Sequence, residues 1–143
     1  MPKKASLTKD QVPAWCLGWQ QTLGLGDWGI DVNVLPHTDM IVRHGDSNLM
    51  GYCKMNREHQ WAEIDVIDPE SDIKPADRLP YDIEYTLLHE HLHVCLDEID
   101  RVFEDALGML GSEARTLMRC AYNVANEQLV NRLARAFKKV KSR

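Results

Sequence analysis

The sequence predicts an α+β fold in a single domain, residues 1–143. Three observations predict it. Residues 6–26 have helical spacing, residues 28–68 hold three runs of strand-like alternation, and residues 81–140 return to helical spacing. The strands are therefore grouped between helices, which is the α+β order. A chain of 143 residues suits one domain of ordinary size, and 44% hydrophobic content is enough for a core.

The first helix is expected in "SLTKDQVPAWCLGWQQTLGLG", with Ser6 or Thr8 as N-cap and glycines closing it. "WGIDVNVLP" places Trp28, Ile30, Val32 and Val34 on one face and stops at Pro36, the pattern of a half-buried strand. "HGDSN" reads as a turn, "LMGYCKMN" as a second strand and "QWAEIDVID" as a third. In the third, Trp61, Glu63, Asp65 and Ile67 alternate with Ala62, Ile64 and Val66, which suits a strand near a sheet edge with one exposed face. "PESDIKPADRLP" is a loop because its Pro and Asp residues resist regular structure. A helix follows from about Tyr81 to Asp100, with Asp82 as its cap, then a break at "ALGMLGSE" and a long helix over roughly 112–140.

Composition narrows the function. No apolar run approaches the ~20 residues of a membrane span, and the N-terminus lacks the apolar segment of a signal peptide. A cytoplasmic protein is expected. The four cysteines form no CxxC pair, so free thiols are expected. A net charge of −5 disfavours non-specific nucleic-acid binding. Nucleic acid keeps one route, the basic C-terminal helix with Arg132, Arg135, Lys138, Lys139, Lys141 and Arg143; the plainer reading is a solvated helix end.

The run "DIEYTLLHEHLHVCLDEID" places three histidines, His89, His91 and His93, inside an apolar helical segment. Residues i and i+4 stack on one helix face, so His89 and His93 can reach one metal ion. Glu90 stands about 100° round the helix, beside that ion, where a carboxylate can take a proton from water. Leu88, Leu92, Cys95, Leu96 and Ile99 form the stripe that such a helix buries. His91 is about 200° away and cannot share the ion, so a structural role is expected for it.

Two imidazoles do not complete a catalytic zinc site, which takes three protein ligands and an open position. Asp97 lies on the same helix and would reach the ion in poor geometry. The better candidate is in the long helix, where Thr116, Cys120, Asn123, Glu127, Asn131 and Ala134 form a small, polar stripe. Glu127 is the acid at its centre. Facing His89 and His93, it completes a His2Glu set for Zn2+, and Asn131 can orient a ligand by hydrogen bonding.

"HEHLH" followed by "NEQLVN" resembles the gluzincin branch of zinc metallopeptidases, including the single-domain minigluzincins. Their pattern is H-E-x-x-H and a later N-E-x-x-x-D. Asn126-Glu127 matches, whereas Asn131 stands in place of the aspartate. The resemblance implies a minimal zincin-like fold: a small sheet, an N-terminal helix, a helix bearing the motif and a long C-terminal helix. It also implies an edge strand beside the cleft, a place that residues 60–67 would fill, with an extended peptide or protein substrate along it. The small size also resembles bacteriophage or prophage proteins. The implied activity is peptide hydrolysis, with Glu90 as general base and His89, His93 and Glu127 as metal ligands. Tyr122, Arg119, His59 and Tyr85 remain open as the group stabilising the oxyanion. Three rivals also remain. One is a structural zinc module closed by Cys95, Cys120 or Asp97. The others are a metal-dependent nuclease and a non-catalytic interaction protein.

Overall fold

The computed structural model describes residues 9–71 and 81–142. Its architecture is α+β, a three-stranded mixed sheet with helices on both faces. The chain enters through a 3₁₀ turn at Lys9–Gln11 and continues as α1 (Val12–Thr22), with proline in the first turn, where its missing N–H costs nothing. The cap candidates Ser6 and Thr8 lie outside the described residues. Strand β1 (Gly29–Leu35) follows, then α2 (His37–His44), β2 (Gly51–Asn56) and β3 (Trp61–Ile67). Three further helices complete the chain: α3 (Ile83–Cys95), α4 (Asp97–Leu107) and α5 (Ser112–Lys141).

The strand order is β1-β3-β2, with β1 parallel and β2 antiparallel to β3. This corrects the expectation for residues 60–67: that strand is central, β1 and β2 are the two edges, and β2 is the edge beside the helix bearing the histidines. Alternation misled because acids on one face of β3 suggested solvent. That face is instead covered by α2, and Asp65, only 2% exposed, accepts from His44 and Arg43 there. Helix α2 itself was missed. Its eight residues include two histidines and an aspartate and give little helical signal; Gly45, at φ +72°, closes it.

The other sheet face carries the core. Ile64 and Val66 pack with Val12 and Cys16 of α1 and with Ile83 and Leu87 of α3. Leu88 and Leu92 turn away from the sheet onto Trp19 of α1 and Val130 and Ala134 of α5. Helix α3 is thus buried between the sheet and two helices. Each fully buried leucine there contributes roughly 2 kcal/mol relative to exposure.

The helix expected over residues 81–100 is two helices. Asp82 caps α3, accepting from the Tyr85 N–H at 3.0 Å. The helix ends at Cys95, and α4 starts at Asp97, which is buried and accepts from Arg57 at 2.5 Å. Because of that break, Ile99 leaves the buried stripe and is exposed.

Candidate metal centre

Helix α3 places its motif on the face turned to the edge strand and α5. His89 and His93 are one turn apart, their Nε2 atoms separated by 3.1 Å. Glu127 comes across from α5, its Oε2 at 3.3 Å from His89 Nε2 and its Oε1 at 3.1 Å from His93 Nε2. These are the only His, Cys, Asp or Glu groups among the described residues whose ligand atoms cluster closely enough to hold one ion. Ligands about 2.0–2.1 Å from a tetrahedral zinc lie about 3.3 Å from each other. The three observed separations agree with that spacing, so the donor set fits the ion. Both histidines are partly buried, whereas the Glu127 side chain is 55% exposed, so one side of the triangle faces the cleft.

Glu90 is 6% exposed and lies beside this triangle against β2. Burial, with the charge of Glu127 adding, pushes its carboxyl up to about 8. The strand makes room for it at Gly51. A Cβ there would come within 2.7 Å of both Glu90 Oε1 and Thr86 Cγ2. A lone glycine in a strand signals this kind of close approach, and the sequence reading did not use it.

Burial and the neighbouring His93 charge lower the pKa of His89, while Glu127 and the Asn131 side chain act in the opposite direction. Asn131 Oδ1 accepts from Tyr85 Oη at 3.0 Å. The Asn131 amide is therefore beside His89 and fixed by a hydroxyl. His91 is fully buried on the far side of α3. Its Nδ1 is 2.7 Å from the Leu87 carbonyl and donates to it, which leaves Nε2 to accept from the Cys16 thiol at 3.5 Å.

The site opens into a cleft of about 690 Å³ between β2, α3 and α5. Leu49, Met50, Tyr81 and Tyr85 form an apolar wall beside His89. Of the four candidates for stabilising an oxyanion, Tyr85 alone lines this cleft. Tyr122 donates to Asp100 and stacks on Phe103, Arg119 pairs with Glu104, and His59 sits in the exposed β2–β3 turn. Asp97 is held by Arg57, and neither Cys95 nor Cys120 joins the ligand cluster. Two bases of the C-terminal helix are engaged within the chain, Lys138 with Asp82 and Lys141 with Glu84.

Compared with family models, with curated proteins and with solved structures, the chain matches none. No helix among the described residues is long and apolar enough to cross a membrane.

Proposed function

We propose that this chain is a zinc-dependent hydrolase, and that its substrate is a peptide or protein. One observation carries the reading: a His2Glu triangle at zinc spacing sits beside a buried carboxylate in an open cleft. His89, His93 and Glu127 hold the ion. A zinc ion bound there supplies a Lewis acid that polarises a carbonyl and acidifies water at the open position. Glu90 accepts the proton of the attacking water and delivers it to the leaving amine. In the metal-free chain burial and Glu127 hold its carboxyl up; the charge of a bound ion would act the other way and favour the carboxylate that a base must be. Tyr85 and Asn131 keep the His89 ring in place.

The substrate platform in this reading is β2. Met50 accepts from the Ile67 N–H at 3.3 Å, so the alternation of an antiparallel ladder turns the N–H and C=O of Tyr52, Lys54 and Asn56 towards β3. The backbone groups of Gly51, Cys53 and Met55 then face the cleft, where an extended peptide can add as a fourth strand. Apolar side chains of that peptide meet Met50, Tyr81 and Tyr85. A closed structural zinc site would need a fourth protein ligand, and the described residues offer none within the cluster.

The test is Glu90→Gln assayed on a peptide library with zinc content measured in parallel. Zinc should be retained and turnover should fall by roughly 10² to 10⁴. Undiminished cleavage by that variant would remove Glu90 from the mechanism.

A further inference from the structure

We infer that Arg57 and Asp97 are positioning residues for Glu90: together they clamp β2 against α3 at the spacing that holds Glu90 beside the ion. The inference rests on the hydrolase reading, with Glu90 as the proton acceptor. Neither side chain of the clamp lines the cleft, so both act through the strand.

The face that α3 turns to the sheet is Ile83, Leu87, Glu90 and Val94, at steps of 4, 3 and 4, and Asp97 continues it across the helix break. None of the five is more than 6% exposed. Three are apolar and pack on the sheet, Ile83 and Leu87 with Ile64 and Val66, and Val94 with Ala62. The other two are carboxylates, and both abut the hairpin of β2. Glu90 meets the start of the strand at Gly51. Asp97 meets the residue after its end, where Arg57 Nε donates to Asp97 Oδ1 at 2.5 Å. Cys53 lies between them, and its thiol is pushed up first by burial and then by the charges of Glu90 and Asp97. Asp97 has a permanent cation as partner and stands in the first turn of α4, whose unpaired N–H groups favour an anion.

The contact at Gly51 has no slack. A Cβ there would lie 2.7 Å from Glu90 Oε1 and 3.1 Å from Glu90 Cγ. The backbone of β2 is thus the wall that stops the Glu90 side chain from turning away from the ion. Only one long side of β2 is held by a neighbouring strand, because β2 is an edge. The turn that carries Arg57 is itself fixed. The His59 N–H donates to Asn56 Oδ1 at 3.2 Å, the Gln60 N–H to the Arg57 carbonyl at 3.2 Å, and Gln60 Nε2 to Asp27 Oδ2 at 3.0 Å. A tie made at such a turn is carried along the strand instead of being absorbed in it. From Gly51 to Arg57 the strand is a lever of roughly 20 Å, so releasing its turn end re-aims the backbone at Gly51. A misplacement of about 1 Å is enough to slow a reaction roughly 10²-fold.

The experiment is a double-mutant cycle between the clamp and Gly51 in the full chain, read by turnover of a peptide library and by urea denaturation. Arg57→Met alone would leave a buried carboxylate without its cation. The clamp is therefore removed as a pair, Arg57→Met with Asp97→Leu, an apolar exchange that buried ion pairs tolerate. Far-UV circular dichroism checks that the paired variant is folded. It should keep one zinc per chain and lose roughly tenfold in kcat. Gly51→Ala should cost roughly 10² in turnover with the clamp intact and less than about tenfold without it, because β2 can then yield to the added Cβ. Its cost in urea denaturation should shrink in the same way. Arg57→Lys, which keeps a cation facing Asp97, should retain most of the rate that the paired variant loses. Full turnover by the paired variant, or a Gly51→Ala cost equal in the two backgrounds, would overturn the inference. A wild-type chain that cuts no peptide would overturn the hydrolase reading instead, and the denaturation cycle would still decide whether the clamp holds β2 against Glu90.

Discussion

Two clusters of histidine and carboxylate lie on opposite faces of the sheet, and they differ in how their charge is satisfied. On the α2 side, Asp65 accepts from His44 at 2.8 Å, Arg43 at 3.2 Å and Asn33 at 2.9 Å. Arg43 is a permanent cation, so that cluster is electrostatically complete as it stands. On the α3 side, Glu127 meets His89 and His93, and no lysine or arginine among the described residues pairs with it. Burial disfavours the charged form of His89. Glu127 thus has no permanent cation beside it among the described residues, a charge that a divalent ion would supply. The difference teaches that residue type alone does not mark a metal site. The same residue types make a structural network wherever an arginine has already taken the ion's place.

That contrast can be broken from either side. The largest effect is expected from Gly51→Ala, because the added Cβ falls at 2.7 Å from Glu90 Oε1. Displacing the proton acceptor by about 1 Å should cost roughly 10² in turnover while leaving zinc content unchanged. Steady-state kinetics with parallel metal analysis would check it, and equal activity would mean that Glu90 has room to spare. On the saturated side, Asp65→Asn leaves His44 without its anion and Arg43 with Glu63 alone. With Arg43 45% exposed, the loss should be about 2 kcal/mol of folding stability, read by urea denaturation. Zinc content should not change; if it did, the two clusters would not be independent.

The smallest effect concerns pH. Burial lowers the pKa of both His91 and His89 in the folded chain. Below the unfolded value of about 6.5 the unfolded chain therefore binds more protons than the folded one. The part of the metal-free protein's stability that these two histidines carry should be full above that pH and fall on acidification towards the depressed folded values, while Glu90, raised to about 8, contributes in the opposite direction over the same range. His91→Leu should flatten this slope in thermal melts run from pH 7.5 to 5; an unchanged slope would assign it to other groups.

Part of this arrangement was legible in the residue pattern. The spacing of His89 and His93 fixes their shared face whatever surrounds the helix, and the stripe through Glu127 pointed to the residue that α5 brings across. Tertiary pairing hid the rest. The acids of β3 look like a solvent face until Arg43 and His44 arrive from a short helix whose own signal is weak. The stripe from Thr116 to Ala134 packs on α3 only towards its C-terminal end; Thr116, Cys120 and Asn123 are exposed. Helix periodicity gives a direction but not the point where a neighbouring helix ends. Gly51 and Tyr85 act on groups more than 30 positions away in sequence, against Glu90 and Asn131 respectively, which no local pattern records.

The central claim is that His89, His93 and Glu127 together grip one zinc ion. Metal analysis of the wild-type chain and of Glu127→Ala, after zinc loading and exhaustive dialysis, tests it most directly. The account predicts one zinc per wild-type chain and a large loss in the variant, with His93→Ala losing it as well. Wild-type protein that emerges free of zinc, or a Glu127→Ala chain that holds it as tightly, would contradict the account.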